Sequence, residues 1–64
     1  MTLPPLNVWI EHDGSAQCPL PVGTGHYWRG KRTAAHDHCE CVVRAGESWR
    51  MVARYRVTSY PEDV

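Results

Sequence analysis

Polar and apolar residues alternate near the C-terminal end of the chain, between Arg50 and Thr58. The two interleaved sets are Met51, Ala53, Tyr55 and Val57 against Arg50, Val52, Arg54 and Arg56. A period of two places successive side chains on opposite sides of an extended strand. The pattern therefore predicts a strand that hides Met51, Tyr55 and Val57 on one face. A helix beginning at Glu47 is the alternative, because no Gly or Pro interrupts the residues that follow it.

Three other short segments are rich in β-branched or aromatic residues, which favour strands. They are Asn7–His12, His26–Arg29 and Cys39–Arg44. Turn residues separate them: Asp13-Gly14, a Pro- and Gly-rich connector from Cys18 to Gly25, and Ala45–Glu47. Lys31 to His38 fits neither a helix nor a strand pattern. The predicted fold is all-β or mainly β: an antiparallel sheet of three to four strands, either flat or curled into a small open barrel.

The core must be built from few residues, because a chain of 64 residues makes one small domain. Leu and Ile are scarce and Phe is absent. We therefore expect the tryptophans Trp9, Trp28 and Trp49 to be core residues. The domain spans residues 1–64, with an extended arm over 1–6 and an acidic tail over 59–64.

Composition excludes several functional classes. Seven basic and seven acidic side chains balance, so there is no general attraction to DNA or to an anionic membrane. No apolar run is long enough to span a membrane, and the first residues lack the pattern of a secretory signal. Three cysteines, an odd number, argue against a full set of disulfides and predict a cytoplasmic protein.

Basic and aromatic residues are interleaved in two parts of the sequence, and they predict a binding surface. The candidate binding residues are Arg50, Arg54, Arg56, Arg29, Trp28 and Tyr27. Guanidinium groups suit phosphate, carboxylate and aromatic faces, so a nucleotide, a nucleic acid or an acidic protein could be recognised. The alternative interpretation is a solvated strand face whose arginines pair with Glu11, Glu40 or Glu47.

Metal-ligand residue types cluster in the middle of the chain: His36, His38, Cys39 and Cys41. One Cys-x-Cys pair does not match the paired spacings of common zinc sites. The competing interpretation makes Cys39 and Cys41 core residues and places His36 and His38 in a loop. No helix N-terminus or strand–helix elbow is predicted that could activate a thiol, so we do not expect an enzyme.

Two parts of the sequence resemble small bacteriophage and prophage accessory proteins. The first runs from Trp9 to Gly14 and on through the connector from Cys18 to Thr24, and the second is Ala53 to Val57. This chain differs in the extra arginine of the second part and in its His/Cys-rich middle. The resemblance implies a counter-defence role such as that of anti-CRISPR proteins.

Three functions follow from these observations. The first is a non-catalytic inhibitor that binds a host defence complex in an infected bacterium. The second is a sponge for a nucleotide immune signal, which would need a homo-oligomer to enclose its ligand. The third is a small zinc-stabilised module that binds nucleic acid.

Overall fold

Four antiparallel strands form one open sheet. They are β1 (Trp9–Glu11), β2 (Gly25–Gly30), β3 (His36–Val42) and β4 (Val52–Ser59). Their spatial order is β1-β4-β2-β3. This computed structural model describes residues 3–31 and 36–62, with the backbone alone for 36–39. Within those ranges there is no helix, so the prediction of a small antiparallel β domain is confirmed.

The central strand β4 is the segment in which the alternation was found. It pairs with β1 on one side and with β2 on the other. The observed strand begins two residues later than predicted, so Arg50 and Met51 lie in the turn that precedes it. This segment forms a strand and not the alternative helix, because its apolar side chains repeat every second residue.

A β-bulge near the start of β4 changes which of its side chains point toward the core. Arg29 is opposite Arg54, whereas the next residue of β2, Gly30, is opposite Val52. One strand therefore has an extra residue, Ala53, and such a bulge shifts the alternation. Val52 is buried and Met51 is 49% exposed. The prediction that Met51 is hidden, with Val52 on the polar face, is wrong for this reason.

One face of the sheet carries the core, and the long connections cover it. The buried apolar residues are Leu20, Val43, Trp49, Val52, Tyr55 and Val57. Leu20 comes from the connection between β1 and β2, and Val43 and Trp49 come from the connection between β3 and β4. The Trp49 amide donates to the Ala16 carbonyl oxygen at 3.0 Å, which joins the two connections.

The three tryptophans do not share one environment. Trp49 is 1% exposed, and Trp28 is half-buried against the core. Trp9 is opposite Arg56 in the sheet, and facing residues of an antiparallel pair point to the same side. Trp9 therefore lies half-buried on the face away from the core, and the expectation that it is a core residue is wrong.

The segment before β1 is tied to the sheet. The Asn7 amide donates to the Val57 carbonyl oxygen at 2.7 Å. The Tyr60 hydroxyl donates to the Pro4 carbonyl oxygen. Over the described ranges, the structure contains no helix of the length and apolar character that crossing a membrane requires.

Candidate binding surface

The face of the sheet opposite the core carries a group of aromatic and charged side chains, here called the arginine–aromatic face. Cross-strand pairing brings its members together, because Arg56 is opposite both Trp9 and Tyr27, and Arg54 is opposite both Glu11 and Arg29. Three strands therefore supply six side chains to one surface. They are Trp9, Glu11, Tyr27, Arg29, Arg54 and Arg56.

Guanidinium groups cover the two aromatic rings of this face. The Arg56 Cζ atom lies 4.9 Å from the centroid of the Tyr27 ring and 5.5 Å from that of Trp9. The Arg29 Cζ atom lies 4.6 Å from the same Trp9 centroid. These distances are typical of cation–π interactions. Arg29 belongs to β2 and Trp9 to β1, so the Arg29 side chain reaches across β4 between Arg54 and Arg56.

The charges on this face are unequal. Arg54 Nη2 lies 3.0 Å from Glu11 Oε1, and both side chains are largely exposed, so the pair contributes at most about 1 kcal/mol. Glu40, nearer the start of β2, accepts a hydrogen bond from the Thr58 hydroxyl. Among the side chains that the structure describes, this side of the sheet therefore carries the guanidiniums of Arg29, Arg54 and Arg56 and the carboxylates of Glu11 and Glu40.

Arg56 is held most firmly. Its Nε atom is buried, and it has no hydrogen-bond partner among the residues that the structure describes. A buried N–H without an acceptor is costly, so the stacking on two rings must offset that cost. The guanidinium is consequently pre-positioned, and its terminal nitrogens are what the group can offer to a partner.

The structure assembles four of the six candidate binding residues: Arg29, Arg54, Arg56 and Tyr27. Arg50 lies in the turn before β4, so its predicted place on the strand face is wrong. Trp28 is opposite Tyr55 and packs against the core, so its predicted place beside the arginines is also wrong. Sequence reasoning missed Trp9, although the alternation of Trp9 and Glu11 with Ile10 was a usable signal.

The alternative in which the arginines pair with neighbouring glutamates holds for Arg54, which pairs with Glu11. Glu47 has other partners. Its Oε2 accepts from the Trp49 indole at 2.6 Å, and its Oε1 accepts from the Arg44 amide at 2.7 Å. Glu47 therefore stabilises a turn on the core side and neutralises none of the arginines on the opposite face.

A polar cavity of about 320 Å³ opens beside the end of β1. His12 and Asp13 are among its lining residues, and the His12 side chain is only 4% exposed. His12 Nε2 lies 2.9 Å from the Ser15 carbonyl oxygen, so this nitrogen donates the hydrogen bond. The Ser15 amide donates to the Asp13 carboxylate at 2.9 Å, which lowers the pKa of Asp13.

A second, more apolar cavity of about 200 Å³ lies on the core side, near β3. Trp28, Trp49 and Cys41 line it, together with the exposed Val42 and Met51. Its size would admit one large apolar side chain.

The candidate metal-ligating residues, His36, His38, Cys39 and Cys41, fall mostly outside the described side chains. His36 and His38 lie in β3, so the interpretation that placed them in a loop is wrong. Their side chains and that of Cys39 are outside the description. Cys41 is half-buried, opposite His26. Among the side chains that the structure describes, no group of three or more His, Cys, Asp or Glu could hold a metal ion.

Cys18 provides a testable feature of the core side. Burial raises the pKa of its thiol, and the nearby Glu47 carboxylate adds to the effect. Because the thiolate is the reactive form, we expect iodoacetamide to modify Cys18 several times more slowly in the folded protein than in urea. Peptide mapping by mass spectrometry measures both rates. Equal rates in the two conditions would show that the thiol is not protected.

Comparison of this chain with protein-family models, curated proteins and solved structures finds no significant match. The functional argument therefore rests on the geometry of the arginine–aromatic face and on the residues that form it.

Proposed function

We propose that the protein is a non-catalytic binding protein whose arginine–aromatic face docks on a host defence complex and inhibits it. The observation that carries this proposal is the position of Arg56, stacked on both Trp9 and Tyr27 beside Arg29. The proposed setting is the cytoplasm of an infected bacterium, as expected if the short sequence resemblance to phage accessory proteins reflects a shared role.

Pre-positioned arginines on aromatic rings are suited to protein recognition. Trp, Tyr and Arg are the residue types that contribute most binding energy in protein interfaces. A flexible arginine loses rotamer freedom when it binds, and a guanidinium already held on two rings loses less. The Arg56 side chain has this property, so the face can bind a partner without first being ordered.

The same geometry is less suited to binding a nucleotide. A base would stack on an aromatic ring, but guanidiniums already occupy ring faces of Trp9 and Tyr27. Trp28, the other ring expected to stack, packs against the core on the opposite side. The face therefore presents cations more than open rings, which favours a protein partner over a nucleotide sponge.

Charge reversal tests the proposal. We expect Arg54→Glu and Arg56→Glu each to weaken binding to the target complex at least about tenfold, because each replaces an interfacial cation with an anion. Arg44→Glu and Arg50→Glu are matched controls with the same change of charge, since both exposed residues lie outside the face. Surface plasmon resonance against purified CRISPR effector and other defence complexes gives the affinities.

The unfolding midpoint of every variant, measured in urea, separates a lost contact from a lost fold. If both face variants bind the target complex as tightly as the two control variants do, this face is not the recognition surface. If no defence complex in the panel binds the unmodified protein, the proposed role is refuted.

A further inference from the structure

We infer that the apolar cavity near β3 binds one tryptophan side chain of a partner protein, whose indole N–H donates to His26. This inference goes beyond the proposed function, because the cavity lies on the core side and the arginine–aromatic face is on the other side of the sheet. It follows from the volume of the cavity, from the apolar residues that line it, and from one ring nitrogen that has no hydrogen-bond partner.

The volume of the cavity favours a single side chain over a whole small-molecule ligand. It measures about 200 Å³. Sites for small molecules and cofactors usually measure about 300–1,000 Å³, so this one is too small for most such ligands. An apolar cavity of about 150 Å³ accepts benzene. The cavity is therefore suited to a ring system somewhat larger than benzene, and indole is the largest ring system that a protein side chain supplies.

Apolar and aromatic side chains form most of the lining. Trp28, Trp49 and Val52 are buried or half-buried, whereas Val42 is 55% exposed and Met51 is 49% exposed. A methionine side chain is unbranched and adapts its shape, and its sulfur makes favourable contacts with aromatic rings. A ring that enters the cavity removes this exposed apolar surface from water, which stabilises the complex.

One polar atom of the lining lacks a hydrogen bond. His26 is 2% exposed, and its Nδ1 donates to the Thr24 carbonyl oxygen at 3.2 Å. In a neutral imidazole the other ring nitrogen, Nε2, is then an acceptor. Nε2 has no hydrogen-bond partner among the residues that the structure describes. A ring that carries one N–H supplies the donor that this buried acceptor lacks.

The carboxylate and the hydroxyl of the lining are already bonded. The two oxygens of Glu47 accept from the Trp49 indole and the Arg44 amide. The Ser48 hydroxyl accepts from the amide two residues further on, at 3.4 Å. The occupant therefore needs an apolar body with a single donor for His26. Tryptophan has both, and it is among the residues that contribute most binding energy when they enter a pocket of a partner.

The tryptophan must come from a different protein. Two of this chain's own tryptophans, Trp28 and Trp49, line the cavity. The third, Trp9, lies on the opposite face of the sheet with two guanidiniums over its ring. A second copy of the chain therefore has no tryptophan that is available to fill the cavity.

Titration with amino-acid derivatives tests the inference on the intact protein. The probes are N-acetyl-tryptophanamide, its benzothienyl analogue, in which sulfur replaces the N–H, and N-acetyl-tyrosinamide. Heteronuclear NMR follows the His26 Nε2 and the Val42 amide. We expect the tryptophan probe to shift both signals saturably and to bind at least about fivefold more tightly than the sulfur analogue, which cannot donate. The tyrosine probe should bind more weakly, because a phenol fills less of the cavity and makes fewer contacts.

Variants locate the site. Met51→Ala should weaken the tryptophan probe several-fold, whereas Leu6→Ala, at an exposed apolar residue outside the cavity, leaves its affinity unchanged. Arg56→Gln, on the opposite face, should also leave it unchanged. His26→Phe should abolish the preference for the tryptophan probe over its sulfur analogue. Urea midpoints show which variants are folded, and if His26→Phe is not, the two probes on the unmodified protein decide.

Several outcomes would overturn the inference. Equal affinity for the tryptophan probe and its sulfur analogue, or no shift at His26, would exclude the indole hydrogen bond. Tighter binding of the tyrosine probe would exclude indole as the occupant. A preference for free indole over the tryptophan probe would make the ligand a small molecule. If sedimentation of the protein alone shows a dimer that Met51→Ala dissociates, the occupant is a second copy of the chain.

Discussion

Replacing Trp49 by alanine should leave most of the protein unfolded at room temperature. Trp49 is 1% exposed, and its ring centroid lies 5.4 Å from that of His12 and 5.2 Å from those of His26 and Tyr55. Removing a buried tryptophan costs about 3–5 kcal/mol. A single core of this size rarely supplies more than about 3–5 kcal/mol in total, so the substitution removes most of the stability.

Urea unfolding followed by near-ultraviolet circular dichroism measures the effect. Trp9→Ala is the matched control, since Trp9 is half-buried on the opposite face and should lose roughly 1–2 kcal/mol. The same free energy of unfolding for the two variants would contradict the assignment of Trp49 to the core and Trp9 to the binding face.

The strands could be predicted from the sequence because each has a local signal. The alternation around Tyr55 and Val57 and the β-branched and aromatic residues near Trp9 and His26 identify their segments. The residues at which the strands begin and end were harder to predict from the sequence. His36–His38 joins β3 because β2 pairs with it, as the Trp28–His36 register shows, and no local pattern indicates this pairing.

The face on which each side chain lies depends on register, which a single sequence does not contain. Trp28 reaches the core because it is opposite Tyr55, and Trp9 avoids the core because it is opposite Arg56. A bulge at Ala53 reverses the expected positions of Met51 and Val52. The binding surface was therefore predicted where the alternation is local, at Arg54 and Arg56, and mistaken at Arg50 and Trp28.

The connections explain why the two faces of one sheet differ. Both long connections fold over the same side, joined by the hydrogen bond from Trp49 to Ala16, and they cover the apolar residues there. No long connection among the described residues covers the other side of the sheet, so its side chains are in contact with water. The guanidinium groups of Arg29 and Arg56 lie over Trp9, and that of Arg56 also lies over Tyr27, so they cover apolar ring surface on this side. The same residues thus stabilise the sheet and present cations.

Replacing Glu47 by alanine should destabilise the protein by about 2 kcal/mol, although Glu47 lies in a turn. Its carboxylate accepts from the Trp49 indole at 2.6 Å and from the Arg44 amide at 2.7 Å. Loss of a charged acceptor leaves the indole N–H in a largely buried place without a partner, which costs about 1–3 kcal/mol. Glu47→Gln keeps a single acceptor oxygen, so its cost should lie between zero and that of the alanine variant.

Urea midpoints of the two Glu47 variants are compared with that of Glu11→Ala. Glu11 makes one ion pair on an exposed face, so its removal should cost less than about 1 kcal/mol. The expected order of destabilisation is Glu47→Ala, then Glu47→Gln, then Glu11→Ala. If Glu47→Ala proved no worse than Glu11→Ala, the carboxylate would not be what fixes Trp49 in the core. The connection between β3 and β4 would then be held by apolar packing alone.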